Sequence, residues 1–320
     1  MSENITAVSL FSGAGGMDVG FKNAGIKVLM ANEIDKMASK TFIENHPETK
    51  MIVDDINNIF PVLEEYRGVD IVFGGPPCQG FSVIGKMDPD DIRSQLIWSF
   101  LKAVEIIQPR AFVMENVKAL AAIAKWKDVR EEFIVKAKEM GYGCIPFIVN
   151  AAEYGTPQKR ERVFFIGIKG EEEFGDKFLE LLYKQKSKAP TIRELFKDLG
   201  PAGTERNPKT CSAKITYAER PVMRKIPYDC LMFNGIGRPI DPDGYSRTIT
   251  ASQGGNMTLI VDEEFLHNPN ANNWIQEYYE KLVSHEVTPK FAEAPERLRR
   301  LTINETRRIQ TFPDDYVFCG

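Results

Sequence analysis

The chain has 320 residues, 43% of them hydrophobic and 27% charged, a balance typical of a globular protein with a sizeable core. Its net charge is −4, so any contact with nucleic acid must come from local basic clusters. No apolar run could span a membrane and the amino terminus lacks a secretory signal, so we expect a cytoplasmic protein. Five scattered cysteines and three histidines, without a CxxC pair, argue against a disulfide framework and against a metal site.

The amino-terminal residues predict a strand, a glycine-rich turn and a short helix. Residues 7–11 are apolar, residues 12–16 are rich in glycine, and residues 17–24 have a helical pattern. A second strand ends at Glu33, at the spacing where nucleotide-binding folds hold ribose hydroxyls, and a third ends near Asp55. Together these features favour a cofactor that contains adenosine.

One cysteine follows the fourth predicted strand, residues 69–73. The segment reads Gly74-Gly75-Pro76-Pro77-Cys78-Gln79-Gly80-Phe81-Ser82. Ligands bind beyond the carboxyl ends of strands in open α/β sheets, and the two prolines stiffen the backbone next to the thiol. A free cysteine is more often a small buried apolar residue, so the hypothesis of a nucleophile depends on the other groups at this edge.

Further strands bring charged groups to the same edge. A polar loop and a helix ending at residue 107 precede a fifth strand, which ends at Glu115. A helix over residues 118–140 and a strand come next, and a basic segment with Arg160 and Arg162 then leads into a clear strand. This alternation predicts an α/β fold with a doubly wound, mainly parallel sheet. The long loop is typical of a lid or a binding loop.

The pattern changes in the second half of the chain. Beyond a charged helical segment, proline, glycine, asparagine and threonine become frequent and the alternation of strands and helices disappears. We therefore predict a catalytic domain of residues 1–185 and a smaller, irregular domain of residues 186–320. The turn at Gly254 and Gly255 fits a recognition loop and a plain hairpin equally well. The basic clusters fit a DNA contact or a solvated charged face.

A thiol, a carboxyl group, two guanidinium groups and an adenosine pocket at one edge match one reaction well. Methylation of cytosine at carbon 5 needs a nucleophile at carbon 6, an acid at N3 and a cation at O2. The target atoms are buried in the duplex, so the base must be flipped out, which explains a mobile loop and a separate DNA-reading domain.

These motifs, in order from Leu10 to Tyr316, resemble the bacterial C5-cytosine DNA methyltransferase family. The resemblance implies S-adenosyl-L-methionine as cofactor and double-stranded DNA as partner. It places Glu33 at the ribose and Ile34 against the adenine. The residues that it assigns to the cofactor pocket are Phe11, Ser12, Gly13, Ala14, Gly15, Gly16, Glu33, Ile34, Asp55, Ile56, Gly75, Pro77 and Leu96.

The same resemblance implies catalytic and DNA-binding residues. Cys78 would be the nucleophile and Glu115 the acid at N3, with Arg160 and Arg162 as the basic pair and Arg162 at cytosine O2. The residues expected to contact DNA are Gln79, Ser82, Thr250, Arg299 and Arg300. Arg299 and Arg300 open a motif that in the family supports the target-recognition domain.

The chain departs from the family pattern in one respect. The last family motif, a Gly-Asn-Ser/Ala-Val-Pro-type segment with a helix that completes the cofactor pocket, does not occur by Gly320. The expectation is a split, permuted or truncated enzyme that binds the cofactor weakly and pairs with a second polypeptide. Our main interpretation is the methyltransferase of a restriction-modification system. The alternative is a DNA-binding subunit or remnant that is inactive alone, and an RNA-methylating relative is less favoured because the second domain suits duplex DNA better.

Overall fold

The computed structural model describes residues 5–77, 95–209, 211–250 and 254–319. The chain divides into two compact units. The first unit consists of Met1–Asn150, Glu161–Gln185 and Asp315–Gly320, and the second of Ala151–Arg160 and Lys186–Asp314. None of the helices in the described ranges is long and apolar enough to cross a membrane.

The strands are labelled in chain order. They are β1 (Thr6–Leu10), β2 (Lys27–Glu33), β3 (Lys50–Val53), β4 (Ile71–Gly74), β5 (Ala111–Val117), β6 (Tyr142–Asn150), β7 (Gln158–Lys159), β8 (Glu161–Lys169), β9 (Tyr217–Val222), β10 (Leu231–Phe233), β11 (Ser246–Arg247), β12 (Ile260–Asp262) and β13 (Leu298–Arg300).

The helices are labelled in the same way. They are α1 (Gly16–Asn23), α2 (Lys36–Asn45), α3 (Phe60–Leu63), α4 (Leu96–Ile107), α5 (Lys118–Ala122), α6 (Lys127–Glu139), α7 (Gly175–Lys184), α8 (Ile192–Phe196), α9 (Glu263–His267), α10 (Trp274–Val283) and α11 (Ile303–Ile309).

The first unit contains a seven-stranded sheet in the order β3-β2-β1-β4-β5-β8-β6. The pairs from β3 through β5 are parallel, whereas β8 pairs antiparallel with both β5 and β6. Connections between parallel strands must cross over the sheet, and helices make most of these crossings. The predicted doubly wound, mainly parallel α/β fold is therefore confirmed.

Helices cover both faces of this sheet because neighbouring strand residues point to opposite sides. Val72 enters the large core beneath α4 and α6, while the next residue, Phe73, enters a smaller cluster beneath α1. There its ring stacks on that of Phe21, with ring centroids 3.8 Å apart. The carboxyl ends of β1, β2, β4 and β5 lie along one edge of the sheet, where Glu33, Gly75 and Glu115 are found.

Two helical segments differ from the sequence prediction. The single helix expected over residues 118–140 is interrupted at Ile123, whose backbone is extended. Arg130 satisfies the carbonyl groups left open at this break by donating to those of Leu120 and Ala121, at 3.1 and 2.7 Å. Helix α2 was not predicted. Its start is stabilised by the Asp35 carboxylate, which accepts from two backbone N–H groups of its first turn.

The second unit is built around two apolar clusters and three two-stranded sheets. Strand β12 contributes to both clusters, because Ile260 points into one and Val261 into the other. Strand β7 pairs with β11. Residues 151–160, which the sequence division assigns to the first domain, therefore belong to the second unit through their contacts, and Asp315–Gly320 belongs to the first.

Candidate active site

The glycine-rich turn between β1 and α1 depends on left-handed backbone conformations. Phe11, Gly13 and Gly15 have φ angles of 53°, 56° and 86°. Glycine adopts such angles without steric cost, whereas a side chain at Gly15 would also collide with neighbouring atoms. A Cβ atom added at Gly13 would have no neighbour within 4 Å. The turn is thus closely packed at Gly15 and open at Gly13.

Glu33, at the end of β2, is tied to this turn by hydrogen bonds. One carboxylate oxygen, Oε2, accepts from the Gly13 N–H at 2.8 Å. The other, Oε1, accepts from the N–H groups of Ile34 and Asp35 at 2.9 and 2.8 Å. Each carboxylate oxygen can accept more than one hydrogen bond, so Glu33 is held in place and can still accept from a ligand.

The next strand end brings a second acidic residue to the edge. Asp55 accepts from both the backbone N–H and the side-chain amide of Asn57, each at 2.8 Å. The side chain of Ile56 is 3% exposed and lies in the core. The contact with adenine that the sequence predicts for Ile56 is therefore open only to its backbone atoms. Ile34, in contrast, is 63% exposed and offers an apolar surface.

Sequence reasoning missed Asn32, which joins three strand ends. Its buried side-chain amide donates to the carbonyl groups of Ile52 and Asp54, at 3.1 and 2.9 Å. Its own carbonyl group accepts from the Ser12 N–H at 3.0 Å. The sequence signal that could have indicated this role is the position of Asn32 at the end of an apolar strand, directly before Glu33.

Glu115 and Arg162 form an ion pair on adjacent strands. The distance from Arg162 Nε to Glu115 Oε1 is 2.8 Å, and the two side chains are 18% and 21% exposed. Arg162 Nη1 also donates to the Glu161 carbonyl at 2.8 Å. The partly buried Glu115 carboxyl group, oriented by Arg162, is placed to share a proton with a ring nitrogen of a bound heterocycle.

The segment that precedes the predicted nucleophile lies next to this pair. A methyl group on Gly75 would be 3.3 Å from Glu115 Oε2. The buried Asn116 amide donates to the Pro76 carbonyl at 3.2 Å and so fixes the start of the loop. Pro77 is exposed, and Leu96 is half-buried against the core at the start of α4. Cys78, Gln79 and Ser82 lie outside the described residues.

Arg160 belongs to the second unit. Its Nη1 donates to the Ile249 carbonyl at 3.3 Å, and the neighbouring Lys159 carbonyl accepts from the Thr248 hydroxyl at 2.9 Å. These contacts bring the basic segment beside the exposed Thr250. Two residues that the sequence predicts for different roles are therefore neighbours within the second unit.

Arg299 and Arg300 are buried, at 7% and 3% exposure, which does not fit the predicted contact with DNA. Arg299 donates to both carboxylate oxygens of Glu305, at 2.8 and 2.7 Å. Arg300 donates to the carbonyl groups of Asn256 and Thr258, at 3.2 and 2.6 Å. The Arg299 guanidinium is held by internal acceptors, whereas Arg300 donates only through Nη1, and its buried Nε and Nη2 atoms have no hydrogen-bond partner among the described residues. The burial of both side chains corrects the predicted role to internal support of the second unit.

These features define a doubly wound α/β fold whose sheet carries an open glycine turn, a fixed carboxylate at Glu33 and an ion pair of Glu115 with Arg162. In the part of the chain that the structure describes, no cluster of three or more histidine, cysteine or acidic side chains could hold a metal ion. The model of the C-5 cytosine-specific DNA methylases matches residues 5–320. The chain therefore belongs to that family.

Similar proteins agree with this assignment. The chain is 31% identical to the Type II methyltransferase M.DdeI of Desulfomicrobium norvegicum, over 98% of this chain and 80% of that protein. It is 30% identical to the Type II methyltransferase M.NgoPII of Neisseria gonorrhoeae, over 97% of this chain and 86% of that protein. The crystal structure of the Dnmt2 methyltransferase of S. pombe has the same fold, with a TM-score of 0.64 at 17% identity over 98% of this chain and 88% of that one.

The protein is a DNA (cytosine-5) methyltransferase, and its methyl donor is S-adenosyl-L-methionine. The site residues fit this cofactor. The open glycine turn leaves room for a ligand, Glu33 lies where hydroxyl groups can be bound, and Ile34 presents an apolar surface for a flat ring. When bound, S-adenosyl-L-methionine supplies an electrophilic methyl group to the edge where Glu115 and Arg162 lie.

Proposed function

We propose that this chain methylates carbon 5 of a flipped cytosine in a specific duplex DNA sequence through a covalent bond to Cys78. The ion pair between Glu115 and Arg162 is the observation that carries the proposal. It supplies an acid and a cation beside Gly75, three residues before Cys78 in the sequence. An aromatic pyrimidine must be activated at both carbon 6 and N3 before carbon 5 can act as a nucleophile.

In the proposed reaction the Cys78 thiolate forms a bond to carbon 6 of cytosine while Glu115 holds a proton at N3. Arg162 orients Glu115 through Nε and neutralises charge that develops at O2. Carbon 5 then forms a bond to the methyl group, whose bond to the sulfonium sulfur of the donor would break, with S-adenosylhomocysteine as the leaving group. Transfer of the carbon 5 proton to water, breakage of the bond between the Cys78 sulfur and carbon 6, and return of the N3 proton to Glu115 restore the aromatic ring and release the thiolate.

The two units would have different roles in the reaction. The first unit would bind the cofactor and carry out catalysis, and the second would read the DNA target, with Thr250 beside Arg160 as one contact. Gln79 and Ser82 would contact the DNA from the catalytic loop. The relatives named as Type II methyltransferases support a role in a cytoplasmic restriction-modification system. Challenging methylated plasmid DNA with a panel of restriction enzymes would reveal the recognition sequence.

A contribution of a second polypeptide to the cofactor pocket is tested by calorimetric titration with S-adenosyl-L-methionine, with and without a peptide of the last family motif. Tighter cofactor binding in the presence of the peptide would support a two-chain enzyme. Micromolar binding and many turnovers by the chain alone would contradict it.

The covalent mechanism is tested by trapping. Duplex DNA with 5-fluorocytosine at the target position should form a stable adduct with the wild-type protein, because fluorine at carbon 5 cannot be lost as a proton is. The Cys78→Ser variant should form no adduct and transfer no methyl group, while cofactor binding stays within about twofold, a difference of less than 1 kcal/mol. The measurement is denaturing electrophoresis followed by mass spectrometry of the adduct.

A matched control is Cys144→Ser, which removes another thiol of the first unit. Burial raises the pKa of Cys144 to about 12, so this thiol is protonated and cannot act as a nucleophile at neutral pH. The control should still form the adduct. Full methyl transfer by Cys78→Ser, or an adduct at any other residue, would contradict the covalent role of Cys78.

A further inference from the structure

The carboxyl-terminal residues Asp315–Cys319, here called the strap, are bound to α2 in the first unit. The Asn45 side chain exchanges two hydrogen bonds with the backbone of Val317, donating to its carbonyl group and accepting from its N–H, both at 2.8 Å. The Cys319 N–H donates to the Thr41 hydroxyl at 3.0 Å. These side chains bind the backbone of the strap and hold it against α2.

Tyr316 extends from the strap to the glycine turn. The side chain is 6% exposed, and its hydroxyl group donates to the carbonyl group of Ala14. Burial raises the pKa of Tyr316 above its usual value, so the hydroxyl group remains protonated and able to donate. The turn that is expected to hold the cofactor thus has one of its carbonyl groups fixed by a residue 302 positions further along the chain.

His46 completes this contact from the end of α2. Its Nε2 atom lies 3.1 Å from the Tyr316 hydroxyl oxygen. Burial lowers the pKa of His46, so the ring is neutral at pH 7. The single hydroxyl proton of Tyr316 is already given to Ala14, so Nε2 must carry the ring proton and donate to the Tyr316 oxygen. The hydrogen bonds therefore run in one direction, from His46 to Tyr316 to Ala14.

Gly15 shows how closely this pair backs the turn. A Cβ atom there would lie 2.6 Å from the Tyr316 hydroxyl oxygen and 2.7 Å from His46 Nε2. Gly15 also has a φ angle of 86°, which a residue with a side chain rarely adopts. The pair therefore packs against the turn at Gly15, whereas the space next to Gly13 is open.

We propose that Tyr316 and His46 are positioning residues that hold the Ser12–Gly16 turn in the shape that binds S-adenosyl-L-methionine, and that the strap thereby sets cofactor affinity. Neither residue is expected to touch the reacting atoms. The proposal rests on the cofactor of the family and is independent of the covalent role of Cys78. A failure here and a failure of the covalent mechanism are therefore distinguishable, because one changes cofactor binding and the other changes the DNA adduct.

The first test is Tyr316→Phe, which removes one hydroxyl group. The dissociation constant for S-adenosylhomocysteine, a non-reacting product, should rise by about five- to thirtyfold, because the Ala14 carbonyl group loses a buried partner. The KM for S-adenosyl-L-methionine should rise similarly while kcat falls less. Amide hydrogen exchange of residues 13–16 should become faster in the protein without cofactor, a readout that does not depend on activity.

The matched control is Tyr142→Phe. Tyr142 is also buried, and its hydroxyl group donates to the Pro109 carbonyl at 2.7 Å in the same unit. This variant loses the same kind of hydrogen bond away from the glycine turn. It should leave the dissociation constant for S-adenosylhomocysteine and the hydrogen exchange of residues 13–16 unchanged.

Variants at His46 and Asn45 test the hydrogen bonds that lead from α2 and the strap to the Ala14 carbonyl group. His46→Gln retains an N–H donor and should bind the cofactor more tightly than His46→Ala. Asn45→Ala removes both hydrogen bonds to Val317 and should weaken cofactor binding with Tyr316 intact, which keeps the test valid if Tyr316→Phe folds poorly. Wild-type affinity and exchange in Tyr316→Phe and Asn45→Ala, or equal losses in Tyr142→Phe, would overturn the proposal.

Discussion

Glu115 and Arg162 meet because of the register between β5 and β8. In this antiparallel pair Glu115 lies opposite Phe164 and Val117 lies opposite Arg162. Glu115 and Arg162 are therefore diagonal neighbours on one face of the sheet, a spacing that long side chains can bridge. A shift of one residue in β8 would move Arg162 to the other face and leave Glu115 without its cation.

The role proposed for Glu115 predicts a large loss of rate upon neutralisation. Glu115→Gln should lower kcat by a factor on the order of 10²–10⁴, the usual contribution of a general acid, while DNA affinity changes little. The control is Glu161→Gln on the adjacent strand β8, where the exposed carboxylate pairs with Lys118 at 2.7 Å. It should retain nearly full activity. A parallel loss of DNA affinity in Glu115→Gln would mean that Glu115 is a DNA contact.

The buried Asp18 carboxyl group makes the free energy of unfolding of the first unit depend on pH. Burial raises its pKa to about 7, and the Ser9 side chain opposes this shift only in part. The folded state therefore binds a proton that the unfolded state has already released above pH 4, so this group stabilises the fold most at low pH. Its contribution is lost as the pH rises from about 4 to about 7.

A comparison of the wild type with Asp18→Asn isolates the contribution of Asp18 to the free energy of unfolding. The free energy of unfolding of the wild type, relative to the variant, should fall as the pH is raised from 5 to about 7 and then level off. The free energy of unfolding is compared between the two proteins because His46 changes it in the opposite direction as the pH rises. Burial lowers the pKa of His46 in both proteins, so this effect cancels in the comparison. Denaturant titrations at several pH values measure the free energy of unfolding. A pH-independent difference would contradict the raised pKa.

At the scale of elements, the start of α11 is stabilised by a buried network. Glu305, with no exposed surface, accepts from the Thr302 N–H at 3.0 Å, the Asn207 amide at 3.1 Å and the Arg299 guanidinium. Thr302 returns a hydrogen bond by accepting from the Glu305 N–H at 3.1 Å. This capping box joins α11 to β13, so the helix and the strand support each other.

Removal of Arg299 should therefore destabilise the second unit. Arg299→Met should lower its free energy of unfolding by about 3–5 kcal/mol, because Glu305 would be left as an uncompensated buried charge. Arg206→Met is the control, since the exposed side chain of this residue makes a long contact of 3.7 Å with Asp198, and its replacement should cost less than about 0.5 kcal/mol. Urea unfolding measures both. Wild-type stability with weaker DNA binding in Arg299→Met would restore the original prediction of a DNA contact.

At the scale of the whole molecule, a net charge of −4 means that DNA is bound through local cationic surfaces. Affinity should fall steeply with salt, by on the order of 10³ between 50 and 200 mM if about six phosphates are contacted. Lys159 is exposed in the basic segment, and Lys159→Ala should reduce the slope of log K against log salt by about one. Lys184→Ala, which removes a lysine paired with Glu180 on α7, should leave the slope unchanged.

Local patterns in the sequence were enough to predict the sheet, the glycine turn, the strand ends with Glu33 and Glu115, and the family. Each of these depends on residues close together in the chain, where apolar runs and glycines have direct conformational effects. The interruption at Ile123 was missed because it depends on Arg130 reaching the carbonyl groups of the preceding turn.

Only the tertiary structure decided which charged side chains can contact a ligand and which are buried. Arg162 and Arg299 look alike in the sequence, yet one lies at the edge of the sheet beside Glu115 and the other is buried against Glu305. The contact of Tyr316 with Ala14 was equally invisible, because it joins residues 302 positions apart. Burial and long-range hydrogen bonds arise from the packing of distant segments, so no local pattern encodes them.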